Sequence, residues 1–240
     1  MNGASRAPSG SGESVIFWDI DGTLLSTARA GILALEDAAR AVCGVEDPKL
    51  DTLDTAGLTD AQVARRAIEH CGSAPEPATI EAFLGVYENQ LPSRLPLRAG
   101  RVLPGVEPVL KDLAARPGVV SMLLTGNTRP GARAKLEHYG LAGYFDKGAF
   151  CESTGPREEI AGRALGLARE SRADPLIVVI GDTPHDVRCG KAIGALTVAV
   201  ASGQHSVEEL ESCGPDAVLA QLPEPGRLAA LVGLDARCGG

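Results

Sequence analysis

Val15-Ile16-Phe17-Trp18-Asp19-Ile20-Asp21-Gly22-Thr23 is the stretch on which the reading of this chain turns. A run of apolar residues followed by acids and a glycine has the pattern of a buried strand ending on two carboxylates. Side chains alternate along a strand, so Asp19 and Asp21 share one face while Ile20 turns to the other. Gly22 permits a tight reversal, and Thr23 brings a hydroxyl and a backbone N–H to the same point. Such a pair suits phosphoryl chemistry. One carboxylate attacks phosphorus; the other, its proton affinity raised by the neighbouring anion, protonates the leaving alkoxide and later deprotonates a water. Asp19 is the candidate nucleophile and Asp21 the candidate acid and base.

Two more apolar runs end in polar groups. Val119-Val120-Ser121-Met122-Leu123-Leu124 leads to Thr125-Gly126-Asn127, and Leu176-Ile177-Val178-Val179-Ile180 leads to Gly181-Asp182-Thr183-Pro184-His185-Asp186. In an open α/β sheet, ligands bind beyond the carboxyl ends of the strands where strand order reverses, so Asp19, Thr125 and Asp182 can meet there. Asp19, Asp21, Asp182 and Asp186 together would repel a phosphate dianion. A hard divalent cation resolves the repulsion, and Mg²⁺, which takes oxygen ligands and keeps several waters, needs few carboxylates. No grouping of His and Cys points to zinc instead. His185 reads as an exposed turn residue, because imidazole is a poor match for Mg²⁺.

These residues resemble the haloacid dehalogenase-like phosphohydrolases, and specifically the phosphoglycolate phosphatase-like branch with a helical cap inserted after the first motif. Asp19-Ile20-Asp21-Gly22-Thr23 corresponds to the first motif, Leu124-Thr125-Gly126-Asn127 to the second and Gly181-Asp182-Thr183-Pro184-His185-Asp186 to the fourth, a resemblance running over about residues 14 to 220. It implies that Asp19 becomes an aspartyl-phosphate and that Asp21 acts as acid and base and offers Mg²⁺ its backbone carbonyl. It implies that Thr125, with Gly126 and Asn127, contacts the phosphoryl oxygens, that Asp182 binds the metal, and that Asp186 supports the metal directly or at one remove. The third motif of the family is a lysine, and here none lies between Lys147 and Lys191. Arg157, which opens the amphipathic run Glu158 to Leu165 near a helix N-terminus that favours anions, is the choice for this cation, with Lys147 and Arg163 as alternatives.

Composition agrees with an α/β enzyme. The chain has 240 residues, 44% of them hydrophobic and only 3% aromatic, so its core is built from Val, Leu, Ile and Ala, as suits a parallel sheet flanked by helices. Its formal net charge is −8, without a basic face of the kind nucleic acid needs, and no apolar stretch is long enough to span a bilayer. The expected partner is a small phosphorylated metabolite. Six cysteines are scattered without a Cys-x-x-Cys pair, and residues 1–13 read as a flexible tail without a signal sequence, which makes the cytoplasm the default compartment.

Strands alternate with helices after residue 101, which predicts a doubly wound parallel sheet. About a hundred residues separate the first two strands, too many for a simple connection. They divide into an α/β core of residues 14–25 and 99–240 and a helical cap of residues 26–98, with helices expected at 28–43, 61–70 and 79–90, the last closed by Leu91-Pro92-Ser93. Hinges are expected near Leu25-Ser26 and Arg98-Ala99-Gly100. Within the insert, Thr59 and Gln62 form a capping box with Leu58 and Val63 as its staple, so Gly57-Leu58-Thr59-Asp60 is explained as a helix start; Asp60, Arg65 and Arg66 are weaker candidates for substrate contact. The sequence therefore points to an Mg²⁺-dependent phosphatase acting on a small monoester such as phosphoglycolate or a sugar phosphate. A phosphosugar mutase of the same architecture is the chemical rival, and a catalytically silent binding module the rival of another class. A dehalogenase would lack the second acid that Asp21 supplies.

Overall fold

The computed structural model describes residues 13–152 and 157–235, apart from the side chains of residues 157 and 158; most of the expected N-terminal tail lies outside these residues. Chain order begins with β1 (Ser14–Trp18) and a two-residue strand β2 (Leu25–Ser26), followed by the helices α1 (Ala30–Cys43), α2 (Asp60–His70) and α3 (Pro77–Arg94). A second two-residue strand, β3 (Arg101–Val102), leads into α4 (Val106–Ala114), β4 (Val119–Leu124), α5 (Arg129–His138) and β5 (Gly148–Ala149). The remainder is α6 (Arg157–Ser171), β6 (Leu176–Gly181), α7 (Pro184–Ala192), β7 (Leu196–Val200), α8 (Val207–Ser212), β8 (Ala217–Leu219) and α9 (Arg227–Leu231).

Six of these strands form one parallel sheet in the order β5-β4-β1-β6-β7-β8. The chain builds outward from β1 in both directions, so strand order reverses beside it, and a crevice opens at its carboxyl end. Trp18 is in register with Leu123 on one side and Ile180 on the other, which brings Asp19, Thr125 and Asp182 to the same edge of the sheet. The alternation read from the sequence holds. Ile16, Trp18 and Ile20 enter a core shared with α4 and α9, whereas Val15 and Phe17 pack on the opposite face against Ile160, Ala161 and Ala164 of α6.

Helices α1, α2 and α3 have an apolar cluster of their own, centred on Leu35, Ala38, Ile68, Phe83 and Leu91. The chain leaves the sheet through β2 and returns through β3, and these two short strands pair antiparallel, Leu25 opposite Val102 and Ser26 opposite Arg101. Gly100 lies against this ribbon so closely that a Cβ there would overlap the Tyr139 hydroxyl and crowd the Ser26 carbonyl.

Two elements differ from expectation. α3 does not close at Leu91-Pro92-Ser93 but runs through Pro92 to Arg94 and passes into a 3-10 turn at Leu95–Leu97. Proline removes one helical hydrogen bond, but Leu91 and Leu95 are fully buried on either side of it, and their burial outweighs that loss. A core segment read from the sequence only as a short stretch at Tyr144-Phe145-Asp146 is a 3-10 turn at Ala142–Tyr144 followed by loop, and the edge strand beyond it starts at Gly148.

Candidate active site

Asp19 follows the last residue of β1, with its N–H bonded to the Ile180 carbonyl at 3.0 Å, so the central strand pairing fixes its backbone. The turn after it closes through Gly22, whose N–H donates to Leu25 at 2.9 Å with φ at 86°. Asp182 stands at the end of β6 and Asp186 at the third position of α7. Thr183 caps α7 and Asp186 reciprocates, its carboxylate accepting the Thr183 N–H at 3.0 Å and the Thr183 hydroxyl at 2.6 Å. A capping box thereby holds Asp186 turned back toward Asp182.

One carboxylate oxygen from each of Asp19, Asp182 and Asp186 lies within 4.8 Å of the other two, and all three side chains are buried. Burial, reinforced by the charges of Asp186 and Asp19, pushes the Asp182 carboxyl well above the usual carboxylate range. Thr23 works the other way, its hydroxyl donating to Asp182 at 2.8 Å. Three buried carboxylates that converge repel one another, which favours protonation or a neutralising cation. An all-oxygen donor set of this kind fits a hard divalent cation. The main chain is shaped to the same purpose, since a Cβ on either Gly22 or Gly203 would overlap the Asp182 carboxylate.

Asp21 stands apart from this cluster. Its half-exposed carboxylate accepts from the Lys135 ammonium at 2.5 Å and from the Asn127 amide at 3.0 Å, while Lys135 also donates to the Asn127 carbonyl at 3.0 Å. Thr125 is buried and its hydroxyl accepts the Asn127 N–H at 3.3 Å, tightening the loop after β4. The structure thus divides the expected four acids: Asp19, Asp182 and Asp186 form the cluster able to hold an ion, and the Asp21 carboxylate belongs to a second group with a lysine.

Lys135 is a buried cation of this site that the motifs do not single out. Burial alone would lower its proton affinity, but the charge of Asp21, with smaller contributions from Tyr87 and Asp60, overrides this and holds the ammonium well above its ordinary range. The cations weighed for the third motif lie at Lys147 and beyond, whereas Lys135 lies on α5, the helix opened by the second motif. Spacing could have found it. Thr128, Gly131, Ala132 and Lys135 recur at helical intervals on the buried side of α5, and a lysine on such a side demands a counter-ion. The side chain of Arg157, the sequence-based choice, lies outside the described residues. Of the alternatives, Arg163 is engaged with the Phe150 carbonyl at 2.6 Å and with Glu152, and Lys147 is exposed beside Val119 and Ser121 in a separate surface depression.

These groups face a cavity of about 340 Å³. Asp19, Asp21, Thr125, Lys135 and Asp182 line the sheet side, with Gly126 and Asn127 beside them, and residues of α1, α2 and α3 line the other. Asp60, at the first position of α2, is buried where the two sides meet: its N–H donates to the Gly126 carbonyl at 2.7 Å and its carboxylate accepts the Thr128 N–H at 2.7 Å. Burial raises its pKa to about 6, against the opposing pull of Lys135 and the Thr128 N–H. Arg65 and Arg66 are exposed on the far side of α2, Arg66 bonding the Asp54 carbonyl, and neither lines the cavity. His185, expected to be exposed, is half-buried, its ring packed against Gly57 and its Nδ1 3.0 Å from Arg188.

Fold and site together define an α/β protein that gathers acids and one buried lysine at the switch point of a parallel sheet. The profile of the haloacid dehalogenase-like hydrolase family matches residues 16–191, and the chain belongs to that family. It is 25% identical to the probable phosphatase IndB of Dickeya dadantii, over 85% of this chain and 88% of that protein. It is 28% identical to a phosphoglycolate phosphatase of Synechococcus elongatus, over 85% of this chain and 91% of that one. Similarity extends to the tyrosine-protein kinase PtkA of Mycobacterium tuberculosis, 29% identical over 82% of this chain but only 66% of that protein. No helix among the described residues is long and apolar enough to cross a membrane.

Proposed function

We propose that this chain is an Mg²⁺-dependent phosphatase that hydrolyses a small phosphate monoester through an aspartyl-phosphate on Asp19. The observation that carries the reading is that Asp19 clusters with the buried Asp182 and Asp186 and lines the same cavity as the Asp21–Lys135 pair. An Asp19 oxygen attacks phosphorus, the bond from phosphorus to the ester oxygen breaks, and the departing alkoxide takes a proton from Asp21. The Asp21 carboxylate then removes a proton from water, whose oxygen attacks the aspartyl-phosphate, releasing inorganic phosphate and restoring Asp19. Thr125, Gly126 and Asn127 present hydrogen-bond donors to the phosphoryl oxygens, and Lys135 offsets their charge from within a water-poor site. Asp19, Asp182 and Asp186 would hold Mg²⁺, which supplies charge neutralisation for the attacking carboxylate and the phosphoryl group when bound. Residues 26–98 act as a cap over the cavity, a reading supported by their separate apolar cluster and by the cavity lining they contribute.

The test is metal-dependent turnover of a panel of phosphate esters with the full chain, measured as inorganic phosphate released per ester consumed. A ratio of one supports hydrolysis. Delivery of the phosphoryl group to a sugar or a tyrosine instead of water replaces the reading by a transferase. Mass spectrometry of quenched Asp21→Asn protein with a good leaving group should find phosphate on the peptide carrying Asp19, and label on any other residue overturns the assignment.

A further inference from the structure

Part of the cavity wall is formed by aliphatic and aromatic side chains. Ile32 and Leu35 come from α1, Leu58 from the loop before α2, Val63 from α2 and Tyr87 from α3, and all five line the same space as Asp19 and Lys135. They are the inner edge of the cluster that holds the three helices together, and Ile32, Leu35, Val63 and Tyr87 keep only 4–9% of their surface, open toward the cavity. Gly31 adds to the room there. A Cβ built on it meets only the Tyr87 hydroxyl, at 3.8 Å, and Gly31 itself lies on the cavity wall.

The lining also carries Asp60, close to Tyr87, and the polar residues Ser26, Thr27, Thr55 and Gln204, but few cations. Of the two basic residues lining the cavity, Lys135 is committed to Asp21 and Asn127, and Arg29 is exposed, its guanidinium donating to the Asp51 carbonyl at 2.5 Å. A substrate with a carboxylate opposite its phosphate would lose hydration on entering this aliphatic wall without a buried cation to replace it. A polyhydroxyl group would lose water hydrogen bonds against these five side chains, of which only Tyr87 can return one. An alkyl or aryl group instead gains from leaving water.

We propose that the organic group of the preferred ester is apolar, an alkyl or aryl chain seated among Ile32, Leu35, Leu58, Val63 and Tyr87, rather than an acid or a sugar. This rests on the phosphatase reading for the placement of the phosphate and adds the identity of what the phosphate is attached to. Tyr87 supplies a single hydroxyl at this wall, so one hydroxyl or ether oxygen on the chain is compatible with the site.

The experiment is a chain-length series on the full-length protein with Mg²⁺ present. Binding of methyl-, propyl-, butyl- and hexylphosphonate is measured by calorimetry beside phosphonoacetate, and kcat/KM is measured for the matching alkyl phosphates, phosphoglycolate and a hexose phosphate. Affinity and kcat/KM should rise about fourfold for each methylene fully buried, up to the length the cavity holds. Gly31→Leu, which fills the space without demanding an unusual backbone, should flatten the series, as should Ile32→Ala by removing part of the wall. Leu97→Ser, at an exposed leucine outside the cavity lining, should leave the rise in place. A flat or falling series, tighter binding of phosphonoacetate than of butylphosphonate, or failure of every alkylphosphonate to bind overturns the proposal. The two readings fail separately: a rising binding series without ester hydrolysis removes the phosphatase and keeps the apolar subsite, whereas hydrolysis without chain-length dependence does the reverse.

Discussion

The Asp60 carboxylate accepts the backbone N–H of Thr128 at 2.7 Å across 68 residues of chain, joining the first turn of α2 to the loop after β4 that carries Thr125 and Asn127. A buried acid with a pKa of about 6 fixes one of the contacts between the helical insert and the sheet.

That acid gives the fold a predictable pH dependence. Its folded pKa is above the ordinary value of 3.8, so the folded chain holds a proton that the unfolded chain has released; this stabilisation is complete below about pH 4 and lost as pH rises through about 6. Asp60→Asn cannot titrate. Relative to wild type, the variant should gain on the order of 2–3 kcal/mol between those limits. Urea unfolding at pH 4, 5, 6 and 7 checks this, and a difference independent of pH would refute it.

Lys135 should be indispensable to turnover and poorly replaced. Lys135→Met removes the charge beside Asp21 while keeping much of the volume, and kcat should fall by at least a hundredfold; Lys135→Arg should recover part of it, since a planar guanidinium cannot sit as the ammonium does between Asp21 and Asn127. Steady-state kinetics beside thermal unfolding separates lost chemistry from lost fold. Activity within threefold of wild type in the methionine variant would return the third-motif role to Arg157 or another cation.

For the two acids of the first motif the losses should differ in kind. Asp19→Asn should reduce turnover of every ester by several orders of magnitude. Asp21→Asn should be most severe for esters with poor leaving groups and milder for those, such as acetyl phosphate, that leave without a proton. A rate profile across leaving groups of graded acidity measures this, and equal losses for all esters would deny Asp21 its role as general acid.

Metal dependence can be tested through the glycine whose missing side chain makes room for Asp182. Chelation should abolish activity and Mg²⁺ restore it. Gly203→Ala forces a Cβ into the Asp182 carboxylate, so the Mg²⁺ concentration for half-maximal activity should rise tenfold or more. Gly85→Ala, at a helical position with nothing within 4 Å of the new atom, is the control. An unchanged Mg²⁺ requirement in the first variant would show that Asp182 does not hold the ion.

What could be read from the sequence was what is local. Asp19, Asp21 and Asp182 follow apolar runs directly, so strand alternation and the rule that ligands gather at strand ends were enough to place them near one another. Asp186 was readable for a similar reason, as it sits three residues beyond the Thr183 cap. The partners of Lys135 and Asp60 were not, because each is distant in sequence: Asp21 lies 114 residues before Lys135, and Thr128 lies 68 residues after Asp60. The capping box explained Thr59 and Gln62 fully and thereby hid Asp60, whose own side chain takes no part in that box. Pro92 misled in the opposite direction, since a local breaker was overruled by the burial of Leu91 and Leu95 around it.

The pairing of β2 with β3 makes the two crossings between sheet and helical layer a single post. The chain leaves the sheet and comes back to it at one place, where Leu25 faces Val102 and Ser26 faces Arg101. This pairing also makes the insert exchangeable: Ser26 already faces Arg101, and a descendant chain could replace everything between them while the strands of the sheet, and the acids they aim, stay where they are.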